Sequence, residues 1–304
     1  MNSTNGAITA RKGCVTRASG GGSLAGMKAL IIGGTGKVGR NVVNHLRELG
    51  VQADAAARSG GEVQLDMRDA RAVTQAAKGY DAAFFITPLG PDETEVGLAV
   101  VAALGQAGVE RIGYLGIHNL DTMRAIPHFE TKVPIRDAVL AQNGVVIAPN
   151  YFFDNDAMML PAIMQGGVYP MPVGSAGVWA VDTRDIGRAA ARALASGEWD
   201  GQEVPVCGPE RLTGPAMAAT WSEALGRPVR YGGDAIEPFV DELAQRVPGF
   251  GEWERRDFTL MFEVTQAQGC PASETDQAAS RALIGQEPRH YADYVQELSQ
   301  GARQ

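Results

Sequence analysis

Several glycines near the amino-terminal end of the chain have the spacing of a phosphate-binding loop. Residues 32–39 read IGGTGKVG and fit both the G-x-x-G-x-x-G and the G-x-G-x-x-G pattern, with Gly39 last in each. A pyrophosphate needs backbone N–H groups at a helix N-terminus and no Cβ atom in its way. The segment therefore predicts a dinucleotide site, with a purely structural turn as the alternative. The residues expected to contact the dinucleotide are Gly33, Gly34, Thr35, Gly36, Lys37, Val38 and Gly39.

The residue that follows the second predicted strand bears on which dinucleotide binds. An NAD-specific site places Asp or Glu there, to accept hydrogen bonds from the ribose 2′-hydroxyl. This chain has Arg58, and a guanidinium pairs well with a 2′-phosphate. The sequence therefore favours NADP(H) over NAD(H), with Lys37 and Ser59 as secondary contacts and a solvated surface arginine as the alternative. Asp66 and Met67 are candidates for the adenine edge, although they could equally belong to the cap of the next helix.

Regular strands and helices must position these residues. The first strand pattern is the apolar run at residues 29–32, and apolar residues at helical spacing follow it closely. Further strand patterns alternate with stretches long enough for crossover helices and occupy residues 51–57, 63–66, 80–87, 111–117 and 145–148. This alternation predicts the α/β class, with a doubly wound parallel sheet of the Rossmann kind.

Composition divides the chain into three parts. Residues 1–26 are rich in Gly, Ser, Thr and Ala and carry no acid, which predicts a disordered tail and leaves open whether it belongs to the native protein. Residues 27–150 carry the alternation and form the expected NAD(P)-binding domain. Residues 151–304 loosen into Met-, Gly- and Pro-rich segments and then helices, which indicates mainly a smaller C-terminal α/β substrate lobe, with some segments returning to the sheet.

Charge and hydropathy argue against several classes of protein. The 304 residues include 27 basic and 35 acidic side chains, a formal charge of −8, so nucleic-acid binding is not expected. No apolar run approaches the ~18 residues that a membrane span needs. Three scattered cysteines without a Cys-x-x-Cys pair predict no metal site and fit a reducing cytoplasm. The sequence does not fix the oligomeric state, and a homodimer is compatible with it.

Four further motifs accompany the glycine loop. They are Phe85-Ile86-Thr87-Pro88, His128-Phe129-Glu130-Thr131-Lys132, Pro149-Asn150-Tyr151-Phe152-Phe153-Asp154-Asn155 and Trp179-Ala180-Val181-Asp182-Thr183-Arg184-Asp185-Ile186. With the glycine loop, Arg58 and Asp66, they resemble the NmrA-like group of atypical short-chain dehydrogenase/reductases over nearly all of residues 27–298. The resemblance implies a Rossmann domain that binds NADP(H) and a small lobe that shapes a pocket over the nicotinamide. The cofactor contacts that it implies near the nicotinamide are Thr87, Pro88, Tyr151 and Lys132, the last on the ribose.

The chain departs from the wider short-chain dehydrogenase pattern of Tyr-x-x-x-Lys with a preceding serine. Lys132 is kept, but His128 stands at the tyrosine position and Gly116 at the serine position. Hydride transfer does not require that triad, because the cofactor supplies the reacting hydride. A proton would come from His128 or His118, then from Tyr151 or water; packing roles are the alternative for both histidines. His128 lies four residues before Lys132, so both are expected on one side of a helix.

Aromatic residues and methionines in the C-terminal half suit a large, flat, apolar ligand. The expected pocket walls are Thr87, Pro88, Ile117, His118, Tyr151, Phe152 and Phe153, with Met158, Trp179, Phe239 or Phe258 reaching in from the second lobe. A place in the core is the alternative for each of them, and for Phe152 and Phe153 especially, because adjacent side chains seldom face the same cavity. The leading hypothesis is an NADPH-dependent reductase that transfers hydride to an aromatic, quinone-like or conjugated small molecule. An NADP(H)-sensing regulator without turnover and a non-redox enzyme on the same fold are the alternatives.

Overall fold

A computed structural model describes residues Leu24–Gly301. Residues 1–23, most of the predicted tail, lie outside this range. The turn before the first strand is closed by a hydrogen bond from the Met27 amide to the Leu24 carbonyl, 3.1 Å long. The Leu24 and Met27 side chains pack against the apolar core on one face of the main sheet, so the described chain is anchored from its first residue.

Seven parallel strands form the main sheet, as the alternating pattern predicts. They are β1 (Lys28–Ile32), β2 (Gln52–Ala57), β3 (Val63–Gln64), β4 (Ala82–Phe85), β5 (Arg111–Leu115), β6 (Val145–Pro149) and β8 (Glu203–Val206). Their order across the sheet is β3-β2-β1-β4-β5-β6-β8. The order reverses between β1 and β4, and ligands of such sheets bind at this switch point, at the carboxyl ends of the strands. The α/β, doubly wound prediction is confirmed.

Helices cover both faces of this sheet. They are α1 (Lys37–Glu48), α2 (Ala70–Ala77), α3 (Glu93–Ala107), α5 (Val133–Ala141), α7 (Thr183–Ser196) and α11 (Glu274–Ile284). Helices α1, α7 and α11 pack together on one face, and α2, α3 and α5 on the other. Alternate residues of β1 enter opposite cores, with Ile31 beside α1 and α7 and Leu30 beside α3. Strands buried on both faces explain why β1 reads as one continuous apolar run.

The second lobe is largely helical and has its own core. Its elements are a 3-10 helix (Phe153–Met159), α4 (Pro127–Glu130), α6 (Leu160–Met164), α8 (Gly214–Leu225), α9 (Ile236–Arg246), α10 (Glu252–Gln268), α12 (Tyr291–Gly301) and the two-stranded sheet of β7 (Val168–Tyr169) and β9 (Arg230–Tyr231). Between these elements the chain returns to the main sheet, where β8 pairs with β6 and α11 packs on β8. In residues 24–301 no helix has both the length and the apolar character to cross a bilayer.

A buried carboxylate, Asp156, organises the core of the second lobe. It has no exposed surface. Its oxygens accept hydrogen bonds from the Tyr169 hydroxyl at 2.9 Å, from the Trp221 indole N–H at 3.0 Å and from the Tyr291 hydroxyl. Burial raises the pKa of Asp156 to about 6, although these three donors favour the ionised form.

The Asp156 network makes the stability of the protein depend on pH. Its folded pKa lies above the ordinary value of 3.8, so the folded state binds this proton more tightly than the unfolded chain does. The contribution of Asp156 to the free energy of unfolding therefore decreases as pH rises between these two pKa values, and the carboxylate is ionised above them.

Removing one donor tests this dependence. Tyr291→Phe is expected to lower the free energy of unfolding by about 1–3 kcal/mol at pH 8, where an ionised acceptor loses a partner, and by less at pH 5. Urea unfolding at both pH values measures the difference. Tyr294→Phe is the control, because Tyr294 stacks on Tyr291 and its hydroxyl has no hydrogen-bond partner in the described chain. The same loss at both pH values would contradict the assignment.

Candidate active site

The glycine loop has the shape that a pyrophosphate requires. It connects β1 to α1, and Gly33 has a φ of +85°, in the left-handed region that favours glycine. A Cβ at Gly34 would lie 2.7 Å from Ala55 Cα, and one at Gly39 would lie 2.2 Å from the Gly33 carbonyl oxygen. No described side chain caps α1, so the amides of its first turn are left for an anion. The loop therefore fits a dinucleotide pyrophosphate.

Arg58 lies directly after β2, at the same sheet edge. Its side chain is exposed, and no described residue pairs with its guanidinium. The nearby acid Glu62 is already engaged, because it accepts the Ala55 amide at 2.8 Å and pairs with Arg47 at 2.7 Å. The hydrogen bond from Arg47 lowers the pKa of Glu62 to about 2. The charge presented at the end of β2 is therefore positive, which suits a 2′-phosphate.

Other predicted cofactor contacts surround this edge. Asp66 is exposed and accepts the Arg68 amide at 3.0 Å, while Met67 packs against the core on the α3 side of the sheet. Lys37, at the first position of α1, donates from Nζ to the Asp154 carbonyl at 3.1 Å and so links the glycine loop to the second lobe. Arg58 thus presents a cation that pairs with no described residue, whereas Lys37 makes one exposed hydrogen bond to the second lobe.

A cavity of about 350 Å³ opens at the carboxyl ends of β4, β5 and β6, between the two lobes. Its predicted wall residues are Thr87, Ile117, His118, Tyr151, Phe152, Met158, Phe239 and Phe258, and His128 and Lys132 also line it. Pro88 and Phe153 are not among its walls, so the expectation that these two residues line the cavity is wrong. Of the four alternatives from the second lobe, Trp179 is the one that does not line it. Phe153 is fully buried in the second-lobe core, because consecutive side chains point in different directions.

Lys132 is held in a buried polar network on one side of the cavity. Its ammonium forms an ion pair with Glu93 and donates to the Thr87 hydroxyl at 3.3 Å. Glu93 also accepts from the hydroxyls of Thr87 at 2.5 Å and Thr131 at 2.6 Å. Burial alone would lower the pKa of Lys132, but the Tyr114 hydroxyl and the Glu93 carboxylate raise it above its ordinary value. The lysine is therefore a fixed cation at the cavity wall.

His128 belongs to a second buried pair. Its Nδ1 lies 2.8 Å from Asp257 Oδ2, and its backbone amide donates to Asp257 Oδ1 at 2.8 Å. Asp257 comes from α10 and has no exposed surface. The pair therefore joins α4 to α10 at the cavity wall, and no described residue bonds to His128 Nε2.

The expectation that His128 and Lys132 share one side of a single helix is wrong. His128 lies in α4, which ends at Glu130, and Lys132 precedes α5. Pro134, in the first turn of α5, has no N–H for the Glu130 carbonyl and crowds it, so a continuous helix is excluded. Both side chains nevertheless line the cavity.

Each ring nitrogen of His118 has a polar neighbour. The Asn150 amide lies 3.1 Å from His118 Nδ1, and Asp276 Oδ2 lies 3.6 Å from Nε2. Burial lowers the pKa of His118, although Asp276 opposes this shift. Tyr151, from the same motif as Asn150, places its hydroxyl 3.6 Å from Met171 Sδ. Burial raises the pKa of the Tyr151 phenol far above its ordinary value.

The glycine at the usual serine position has a packing reason. A Cβ on Gly116 would lie 2.7 Å from Val146 Cγ1, and valine is too stiff to move aside cheaply. A serine at Gly116 would therefore force the ends of β5 and β6 apart.

Sequence reasoning missed the carboxylate partners of Lys132 and His128. Glu93 is in the first turn of α3, where an acid is expected merely for the helix dipole. Asp257 follows Arg255 and Arg256, a charged run typical of a solvated surface, and it lies 129 residues after His128. No local signal marks either residue, because each is defined by a long-range contact.

The Glu93–Lys132 pair is expected to contribute strongly to stability. Glu93→Gln leaves a buried ammonium without its carboxylate and is expected to lower the free energy of unfolding by about 3–5 kcal/mol. Urea denaturation of Glu95→Gln, an exposed acid in the same turn, is the matched control. Adding Lys132→Met to Glu93→Gln is expected to restore part of the loss. If Glu93→Gln and Glu95→Gln lowered the free energy of unfolding equally, the buried pair would be refuted.

The chain is similar to known reductases in sequence and in fold. A profile of the NmrA-like family matches residues 27–294. The chain is 31% identical over 237 residues to an NAD(P)H azoreductase from Xenophilus azovorans, a match that covers 73% of this chain and 81% of that protein. The fold is similar to that of an NADPH-dependent quinone oxidoreductase from Escherichia coli complexed with NADPH, with a TM-score of 0.77, 20% identity and coverage of 89% of this chain and 99% of the other.

The triphenylmethane reductase of Citrobacter sp., complexed with NADP(H), has a similar fold, with a TM-score of 0.73 and 18% identity. The match covers 90% of this chain and 100% of the other. The family profile covers the glycine loop, the cavity and both buried pairs. This chain belongs to the NmrA-like family.

Proposed function

We propose that this protein is an NADPH-dependent reductase that transfers hydride to a flat aromatic, quinone-like or conjugated small molecule. One observation carries the proposal: an apolar cavity opens at the same sheet edge as a glycine loop that has no room for side chains. A dinucleotide held by its pyrophosphate at that loop extends along the edge toward the cavity. The similar azoreductase and quinone oxidoreductase use nicotinamide cofactors, which supports the proposal.

The proposed cofactor contacts divide along the sheet edge. Residues 33–39 with the N-terminus of α1 bind the pyrophosphate, and Arg58 pairs with the 2′-phosphate. Asp66 and Met67 border the adenine. At the other end, Lys132 donates to the nicotinamide ribose, and the residues proposed beside the nicotinamide are Thr87, Pro88 and Tyr151.

When bound, the reduced nicotinamide supplies the hydride. The chain supplies position and surroundings. Glu93 and Thr87 direct the Lys132 ammonium and accept two of its three N–H hydrogens, which leaves one for a ribose hydroxyl. Apolar walls such as Ile117 and Phe258 exclude water and hold a flat molecule against the cofactor edge. A cavity of about 350 Å³ is at the small end of the usual range for ligand sites.

The function is tested by binding and turnover with purified protein. Fluorescence titration is expected to show binding of NADPH, and the nicotinamide absorbance band is expected to decay with members of a panel of quinones, azo dyes and cationic triarylmethane dyes. Binding without oxidation by any acceptor would instead favour a sensing role. Absence of NADPH binding would exclude both.

Arg58 is expected to determine cofactor preference. Arg58→Ala removes a charge-assisted contact to the 2′-phosphate, so the dissociation constant for NADPH should rise about 10- to 100-fold while that for NADH changes little. Fluorescence titration with both dinucleotides measures this. Arg230→Ala, an exposed arginine of the second lobe, is the control. Equal weakening of both dinucleotides would show that Arg58 does not contact the phosphate.

We also propose a cytoplasmic location and a homodimeric assembly. Cys207 and Cys270 are buried free thiols, and burial raises the pKa of each to about 11, which suits a reducing compartment. A two-fold homodimer is the commonest assembly among soluble oligomers. Light scattering of the purified protein tests the assembly.

A further inference from the structure

The proposed reduction raises a question of proton supply that depends on the substrate. A neutral quinone or azo acceptor gains a hydride and one proton, whereas a cationic acceptor gains only the hydride and becomes neutral. The cavity walls contain several candidate proton donors. We propose that His128 delivers this proton from Nε2 and that Asp257 is the positioning residue that fixes the imidazole. This inference rests on the proposed reductase function.

The contacts of His128 leave one ring nitrogen available. Asp257 is buried and its oxygens accept only from a protonated Nδ1 and from the His128 backbone amide. The neutral ring is therefore the Nδ1–H tautomer, and the cation carries its second proton on Nε2. Every buried side-chain nitrogen or oxygen in the described chain has a partner, and Nε2 has none, so Nε2 is accessible. His128 lines the cavity, which places that proton beside a ligand.

His118 has the opposite tautomer. The orientation of the Asn150 amide is fixed, because its Oδ1 accepts the Tyr151 amide at 2.8 Å and its Nδ2 donates to the Cys270 carbonyl at 3.0 Å. Nδ2 must therefore donate to His118 Nδ1, which leaves the proton on Nε2, facing Asp276. Burial keeps the pKa of His118 below its ordinary value, so the ring is neutral. Neither nitrogen can give a proton to a ligand in the cavity.

The other titratable wall residues are poor donors. Loss of the Lys132 proton would leave the buried Glu93 carboxylate without its partner, and the pKa of Lys132 is raised. Burial raises the pKa of the Tyr151 phenol in the same way, so it is a weak acid. The titratable groups that line the cavity with His128 are His118, Lys132, Tyr151, Asp257 and Cys270. Among these residues and His128 itself, only His128 has an accessible ring nitrogen and a buried carboxylate that bonds to its other ring nitrogen.

The balance of the step is simple. The acceptor receives two electrons and one hydrogen as hydride from the nicotinamide, and its oxygen or nitrogen takes a proton as the N–H bond of His128 Nε2 breaks. Asp257 stabilises the imidazolium before the transfer and the Nδ1–H tautomer after it. Solvent water then returns a proton to Nε2.

The decisive experiment compares two acceptors. His128→Asn keeps an amide that can donate to Asp257 but removes the acid. The rate with a neutral quinone is expected to fall about 100-fold or more. The rate with a cationic triarylmethane dye, which needs no proton, is expected to fall at least about tenfold less. A larger drop in the quinone-to-dye ratio for His118→Gln than for His128→Asn would overturn the assignment, as would equal losses for both acceptors.

Two measurements on the wild-type protein do not require any variant to fold. In cofactor-free protein at high pH, ¹⁵N NMR is expected to show an unprotonated Nε2 in His128 and an unprotonated Nδ1 in His118; the reverse pattern would overturn the inference. The quinone-to-dye rate ratio is expected to decrease with rising pH, because only the quinone reaction consumes a proton at the site. A flat ratio would also overturn it.

The outcomes separate this inference from the function on which it rests. If none of the tested acceptors supports NADPH oxidation by the wild-type protein, the proposed function fails. If it reduces both acceptors and the ratio is insensitive to His128, the reductase function stands and only the proton assignment fails.

Discussion

Three carboxylates without exposed surface constrain the whole site. A buried charge without partners is too costly to persist, so Glu93, Asp156 and Asp257 must each meet donors from distant parts of the chain. Asp156 gathers the hydroxyls and the indole of the second-lobe core, while Glu93 fixes Lys132. Asp257 joins α10 to α4. Together these contacts fix the core of the second lobe and two walls of the cavity.

The same constraint explains how a short-chain dehydrogenase fold works without its usual tyrosine and serine. Gly116 leaves no space for a serine because Val146 packs against it. His128 stands at the tyrosine position, and our proposal replaces the phenol activated by lysine with an imidazole oriented by Asp257. Lys132 forms an ion pair with Glu93 at the cavity wall. His118 and His128 differ in tautomer, because Asp257 accepts from His128 Nδ1 whereas the Asn150 amide donates to His118 Nδ1.

Much of the scaffold could be predicted from local patterns. The apolar run at β1, the glycines after it and the alternation up to β6 reflect burial on both sheet faces and the need for backbone approach, which depend on neighbouring residues. The break between α4 and α5 also has a local cause in Pro134, although the four-residue spacing of His128 and Lys132 suggested one helix. The cavity walls were predicted less well, because whether Phe152 or Phe153 faces the cavity depends on packing.

The sequence by itself determined the doubly wound sheet, the phosphate loop and the positive charge at Arg58, since strand burial, glycine spacing and residue type are written in contiguous segments. Only the tertiary structure decided which carboxylates hold His128 and Lys132 and where the cavity lies. These properties arise from contacts between residues far apart in the chain, such as the 129 residues between His128 and Asp257. No local periodicity encodes such a contact, because it is fixed by the need to pair buried charge after the lobes have folded together.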